Sequence, residues 1–157
     1  MKYIIFNWKS YLNLKETLSL SKIISNLPKS KKYKILSSPN NFFHLTIRKL
    51  FPKNITATQN IDLHGLGANT GSLDVSYLTE SKIKYSILGH SEVRANFNDN
   101  DLIVKDKLKH CLSNNIVPIV CIGETKDIYK SKKTREFLKL QIHKIFSMST
   151  QYQEVIL

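Results

Sequence analysis

A chain of 157 residues with 41% apolar content is long enough for one domain with a real core. No window approaches the roughly 20 consecutive apolar residues of a membrane-spanning helix. Two cysteines, Cys111 and Cys121, are too few for a disulfide scaffold, and the apolar run after Lys2 is too short for a signal peptide, so a reducing cytoplasm is the expected compartment. The net charge is +12, yet 21 of the 24 basic residues are lysine, and they are scattered. Arginine is the residue suited to bidentate phosphate and base recognition. Lys, Ile and Asn together make up 52 residues, so the excess reads as compositional, and neither nucleic acid nor membrane is an expected partner.

Residues 3–6 form the first candidate strand. Asn13 then offers a helix cap with Glu16 three positions on, and Leu18, Ile23, Ile24 and Leu27 give an apolar stripe that Pro28 ends. A second strand is expected at 34–37. Asn40 or Asn41 caps a short helix through Phe43, Ile47 and Leu50, closed by Pro52. Strands follow at 55–58 and 85–88. Asp101 opens a helix carrying Ile103, Val104, Leu108, Cys111 and Leu112. A fifth strand is expected at 117–122, a helix at 134–146 with Leu138, Ile142 and Ile145 at helical spacing, and a sixth strand at 154–157. Strands alternating with helices every 30 or so residues imply βαβ units and a parallel sheet. Eight such units would make the roughly 250 residues of a closed (β/α)₈ barrel. This sequence holds five units and the beginning of a sixth, and it stops inside a strand pattern. Periodicity alone leaves a complete flavodoxin-like sheet as the alternative.

Three segments carry the chemistry, each at the C-terminal end of an expected strand, where parallel α/β proteins build their sites. They are residues 6–9, residues 65–71 with 86–92, and residues 118–125. They contain Asn7-Trp8-Lys9, Gly67-Ala68-Asn69-Thr70-Gly71, Gly89-His90-Ser91-Glu92 and Cys121-Ile122-Gly123-Glu124-Thr125, and Gln59-Asn60 follows the third expected strand. Five short motifs in this order resemble triosephosphate isomerase. The resemblance runs through the whole chain but covers only about the first three fifths of the family's length. It implies an incomplete (β/α)₈ (TIM) barrel over residues 1–157, ending within strand six. It also implies interconversion of dihydroxyacetone phosphate and glyceraldehyde 3-phosphate through an enediolate, without metal or organic cofactor. The alternatives are an inactive remnant, half of a split enzyme completed by a separate C-terminal fragment, or a basic binding module.

The residues themselves agree with that chemistry. His90 follows a glycine at a strand end and precedes what looks like the start of a short helix, a place that favours neutral imidazole. A neutral imidazole still donates a hydrogen bond to a carbonyl; this role is the family's known one and is not a derivation from these residues. Lys9 lies two residues beyond Asn7, so on an extended chain both side chains point to the strand ends. A cation there would hold a phosphate and stabilise an enediolate. Glu92 would pair with Lys9 or orient the site, supported by Ser91. Cys121 reads as a small packing residue rather than a nucleophile. In the family, the loop holding Gly67, Thr70 and Gly71 inserts into a twofold partner, so a homodimer is expected.

Departures from the family pattern are specific. Phe6 stands where a small residue is usual and is expected to crowd the strand end. Val93 replaces an arginine, and Asp99 shortens a buried glutamate by one methylene. The catalytic glutamate that the family places after strand six matches no residue of this sequence. Nor do its lid and later phosphate loops. What the sequence offers is the electrophile and the cation without the base.

Overall fold

A computed structural model of the chain describes residues 1–147 and 154–157. Five strands form one sheet: β1 (Lys2–Asn7), β2 (Tyr33–Ser38), β3 (Ile55–Thr58), β4 (Tyr85–Leu88) and β5 (Val117–Val120). Their order is β1-β2-β3-β4-β5, every pair is parallel, and each strand lies beside its predecessor. This sequential winding decides against the flavodoxin-like alternative, whose strand order reverses at a switch point. It is the winding of a (β/α)₈ barrel.

Seven helices lie between and after the strands: α1 (Leu14–Ser25), α2 (His44–Leu50), α3 (Val75–Glu80), α4 (Ser91–Phe97), α5 (Asp101–Ser113), α6 (Lys126–Lys130) and α7 (Thr134–Phe146). A 3₁₀ turn (Asn41–Phe43) leads into α2. The caps follow the sequence. Asn13 and Glu16 form a reciprocal capping box on α1, each side chain accepting from the other's backbone N–H. Asn100 caps α5 by accepting from the amides of Leu102 and Ile103.

Two apolar clusters flank the sheet. Leu36, Ala57, Tyr85, Ile87 and Ile119 bury the concave inner side, with Tyr3, Ile5 and Cys121 packed against them. Leu88 and Val120 point the other way and meet Val104, Leu108, Cys111 and Ile145 of α5 and α7. Burying each such side chain stabilises the fold by about 1.5–3 kcal/mol.

Four expectations need correction. β5 ends at Val120 rather than at 122; Cys121 still donates to the Leu88 carbonyl, and the chain then leaves the ladder. Residues 154–157 make one parallel bridge, Ile119 with Ile156, rather than a full strand. On α1 the fully buried positions are Thr17 and Ser21, while Ile23 is 56% exposed. The small side chains four residues apart let the helix approach closely, and the Asn54 side chain donates to the Ser21 carbonyl. On α7 the buried positions are Gln141 and Ile145, and Ile142 is exposed. Gln141 sits inside because both ends of its amide find partners: Oε1 accepts from Gly123 N–H and Nε2 donates to Asp101.

Candidate active site

The C-terminal ends of β1, β3 and β4 open on a cavity of about 370 Å³. Asn7, Lys9, Gln59, His90 and Glu92 line it. β1 delivers Asn7, and the chain turns there instead of running on extended. Lys9 adopts a left-handed backbone, φ 51°, which non-glycine residues seldom take. Two side chains hold that turn. Asn7 Oδ1 accepts from the Lys9 amide at 3.0 Å, and Gln59 Nε2 donates to the Lys9 carbonyl at 2.7 Å and the Ser38 carbonyl at 3.0 Å. The turn, not an extended strand, is what aims the Lys9 ammonium into the cavity, where Nζ meets Glu92 Oε1 at 2.7 Å. Each charge favours the other's ionised form: Glu92 raises the Lys9 pKa above its usual value, and Lys9 lowers that of Glu92.

His90 is the N-cap of α4. Its Nδ1 accepts from the Glu92 backbone N–H at 3.3 Å. The Glu92 carboxylate stands 3.6 Å from the same nitrogen, too far for a hydrogen bond. The backbone bond therefore sets the tautomer: Nδ1 is the acceptor and Nε2 carries the proton. Gly89 makes this corner possible. Its φ is +66°, and a Cβ there would come within 2.9 Å of both Arg94 and Val104.

The structure brings together Asn7, Lys9, His90 and Glu92. Ser91 is exposed at the start of α4. Cys121 is half-buried against the inner core, and burial raises its thiol pKa. Phe6 does not crowd the site; it lies on the outer side of β1 and is 40% exposed. Asp99 is buried and paired with Lys107, whose Nζ donates to both carboxylate oxygens (2.9 and 2.7 Å) and to Asn60 Oδ1 (3.1 Å). Gly67, Thr70 and Gly71 stand in an exposed loop away from the cavity. Its base is closed by Asp62, whose amide donates to the Leu73 carbonyl and whose carboxylate accepts from the Leu73 amide.

Two supports went unread in the sequence. Gln59 appeared there only as part of a motif, with nothing local to show that it reaches the Lys9 carbonyl. Arg94 donates from Nε to the Gly89 carbonyl at 2.7 Å and from Nη1 to Asp101 at 2.8 Å, tying the β4 corner that carries His90 to the start of α5. Among the described residues no group of His, Cys, Asp and Glu is gathered as a metal site would need, and no helix is long and apolar enough to cross a membrane.

A parallel, sequentially wound β/α sheet with a histidine and a lysine at its C-terminal end defines a chain of the (β/α)₈ barrel class, here an incomplete one. The family model described as "Triosephosphate isomerase" matches residues 2–157, and the chain belongs to that family. It is similar to the triosephosphate isomerases of Mycoplasma mobile (33% identical; 99% of this chain, 67% of the relative), Mesomycoplasma hyorhinis (34%; 88% and 60%) and Mycoplasmoides pirum (37%; 91% and 97%). The chain thus spans about three fifths to two thirds of the length of the first two relatives.

Proposed function

We propose that this chain supplies the carbonyl-polarising and charge-holding part of an aldose–ketose isomerase acting on triose phosphates. The observation that carries this reading is the convergence of His90, Lys9 and Asn7 on one cavity at the strand ends, with His90 Nδ1 accepting from the Glu92 amide. A neutral imidazole donating from Nε2 polarises a substrate carbonyl as the adjacent carbon loses its proton. The Lys9 ammonium, now held by Glu92, balances the negative charge that builds on the enediolate oxygens. The Asn7 amide, whose oxygen accepts from the Lys9 backbone, keeps its NH₂ available to donate. Abstraction of the carbon-bound proton needs a positioned carboxylate, and none of the described carboxylates matches the family's base. A separate segment supplying that base is the partner this reading calls for, and the loop around Thr70 is the surface through which we place a homodimer.

Conversion of dihydroxyacetone phosphate to glyceraldehyde 3-phosphate tests the reading. The 157-residue chain by itself is expected to show no measurable turnover, since losing base and phosphate grip removes several kcal/mol of transition-state stabilisation at about 1.4 kcal/mol per tenfold in rate. Adding a polypeptide that carries the remaining third of a family barrel is expected to restore activity, and His90→Gln to remove what was restored. Robust turnover by the chain alone, unchanged in His90→Gln, would overturn both the residues and the reaction.

A further inference from the structure

The opposite end of the sheet carries an arrangement that the proposed chemistry does not use. Two cavities open where β2, β3 and β4 begin, one of about 520 Å³ and one of about 380 Å³. They share Lys34, Pro52, Asn54 and Ile55 in their walls. Lys29, Lys34 and Lys53 line the first; Lys34, Arg48, Lys82 and Lys84 line the second. Six of the chain's 24 basic residues thus line these two neighbouring cavities, and neither lining contains an aspartate or glutamate. A purely compositional excess of lysine predicts scatter, not this gathering.

Two of the cations are held in place rather than swinging free. Lys34 Nζ donates to the Tyr85 hydroxyl at 2.8 Å and lies 5.6 and 5.4 Å from the ring centres of Tyr3 and Tyr85. Arg48 donates from Nη1 to the Lys82 carbonyl, which fixes the guanidinium beside the turn into β4. Among the described residues, Glu154 accepts from the Tyr3 hydroxyl and forms no ion pair with these cations. Like charges gathered around one concavity repel one another and focus a positive potential, which a multivalent anion relieves. A hollow of this size suits a compact ligand better than the convex face of a duplex.

We propose that this end of the sheet binds a linear oligophosphate, with Lys34, Arg48, Lys82 and Lys84 as its contacts. A chain of phosphates matches the four cations gathered around the cavity of about 380 Å³; a single orthophosphate would leave most of them unpaired. The site is independent of the isomerase reading, because none of its residues lines the cavity that holds His90.

Calorimetric titration of the full chain with sodium tripolyphosphate tests this. Saturable binding is expected, at least about tenfold tighter than orthophosphate and weakening steeply as salt is raised. Arg48→Gln combined with Lys84→Gln should weaken it by about tenfold or more, while Lys130→Gln with Lys133→Gln, on a different surface, should leave it unchanged. Lysine acetylation followed by mass spectrometry gives the same answer without mutation: tripolyphosphate should protect Lys34, Lys82 and Lys84 several-fold and spare Lys130, Lys132 and Lys133. ATP at equal concentration separates the sources, since binding equal to tripolyphosphate means that the phosphate chain alone is read, and tighter binding means that a nucleoside adds contacts. Uniform protection of all lysines, an affinity indifferent to the Arg48 and Lys84 changes, or binding of duplex DNA without tripolyphosphate would overturn the assignment.

Discussion

His44 shows what one buried side chain does to the stability of this fold. It opens α2, it is 2% exposed, and neither ring nitrogen has a hydrogen-bond partner among the described residues. Burial lowers its pKa from 6.5 to about 4. In the unfolded chain the imidazole takes a proton near pH 6.5, whereas in the folded chain it resists until about pH 4. Between those values the unfolded state binds more protons, so stability falls as pH falls, and below the folded pKa the loss from this group is complete. The full difference corresponds to about 3 kcal/mol, a large share of a small domain's stability. Urea unfolding of dilute protein at pH 7, 6, 5 and 4.5 should show this acid-side loss, and His44→Leu should flatten it. The leucine keeps the volume and removes two unpartnered nitrogens, so the variant should equal or exceed the parent at pH 7. A parallel decline in both proteins would mean that other groups set the acid sensitivity. The exposed Lys9–Glu92 pair adds little to this profile, being screened by solvent. Its value lies in where it holds the ammonium.

Among the elements, the long β3–α3 connection is the one we propose as a contact to a second copy of the chain. Asp62 clamps its base through two bonds to Leu73, and inside it the Asn69 side chain donates to the Gly65 carbonyl. Leu66 at its tip is 65% exposed, although the loop is internally bonded. An ordered loop that shows an apolar side chain to solvent fits insertion into a second copy. At low protein concentration, sedimentation should find a dimer, and Thr70→Arg should yield monomers by placing a desolvated charge in the contact. Unchanged sedimentation in that variant would refute the loop's role. The elements that were legible in the sequence are those whose signal is local. β3 and β4 stand at the expected residues because short β-branched runs between turn residues leave little choice. The capping box at Asn13 and the limits of α7 are local in the same way. α3 and α6 are too short to show a period. Gln141 inside α7, Arg94 behind His90 and Gln59 behind Lys9 were not legible for a different reason. For the two glutamines the partners, Gly123 and the Lys9 carbonyl, lie 18 and 50 positions away, and only the completed fold brings them within bonding distance; Arg94 reaches back only five residues, but around the β4–α4 corner that Gly89 makes. The motif residues of the cavity could be listed from sequence; the left-handed turn that aims Lys9 could not, because a lysine gives no sign of taking a glycine-like backbone.

At the scale of the whole molecule, the sheet is well covered on one side of its span and poorly on the other. The outer faces of β4 and β5 are sealed by α5 and α7. β1 pairs with β2 alone among the described strands, and on its outer side Ile4 and Phe6 are 42% and 40% exposed. Leu20, Ile23 and Leu27 of α1 and the turn after it are also exposed. A parallel strand is normally buried on both faces, and an edge with unpaired backbone groups and apolar side chains is a template for another chain. Two internal clusters of buried apolar side chains form, so the chain is expected to fold at low concentration and to self-associate through β1 as concentration rises. Light scattering should then show assemblies larger than a dimer that grow with concentration. Ile4→Lys combined with Phe6→Lys should suppress them, since charge on an edge strand opposes pairing. Because these side chains point away from the inner cluster, far-ultraviolet circular dichroism of the double variant should stay unchanged. Thr70→Arg acts on a different surface and should leave the large assemblies in place while it removes the dimer. If the β1 lysines leave the large assemblies intact, or if Thr70→Arg abolishes them, the exposed side of β1 is not the surface through which this chain associates.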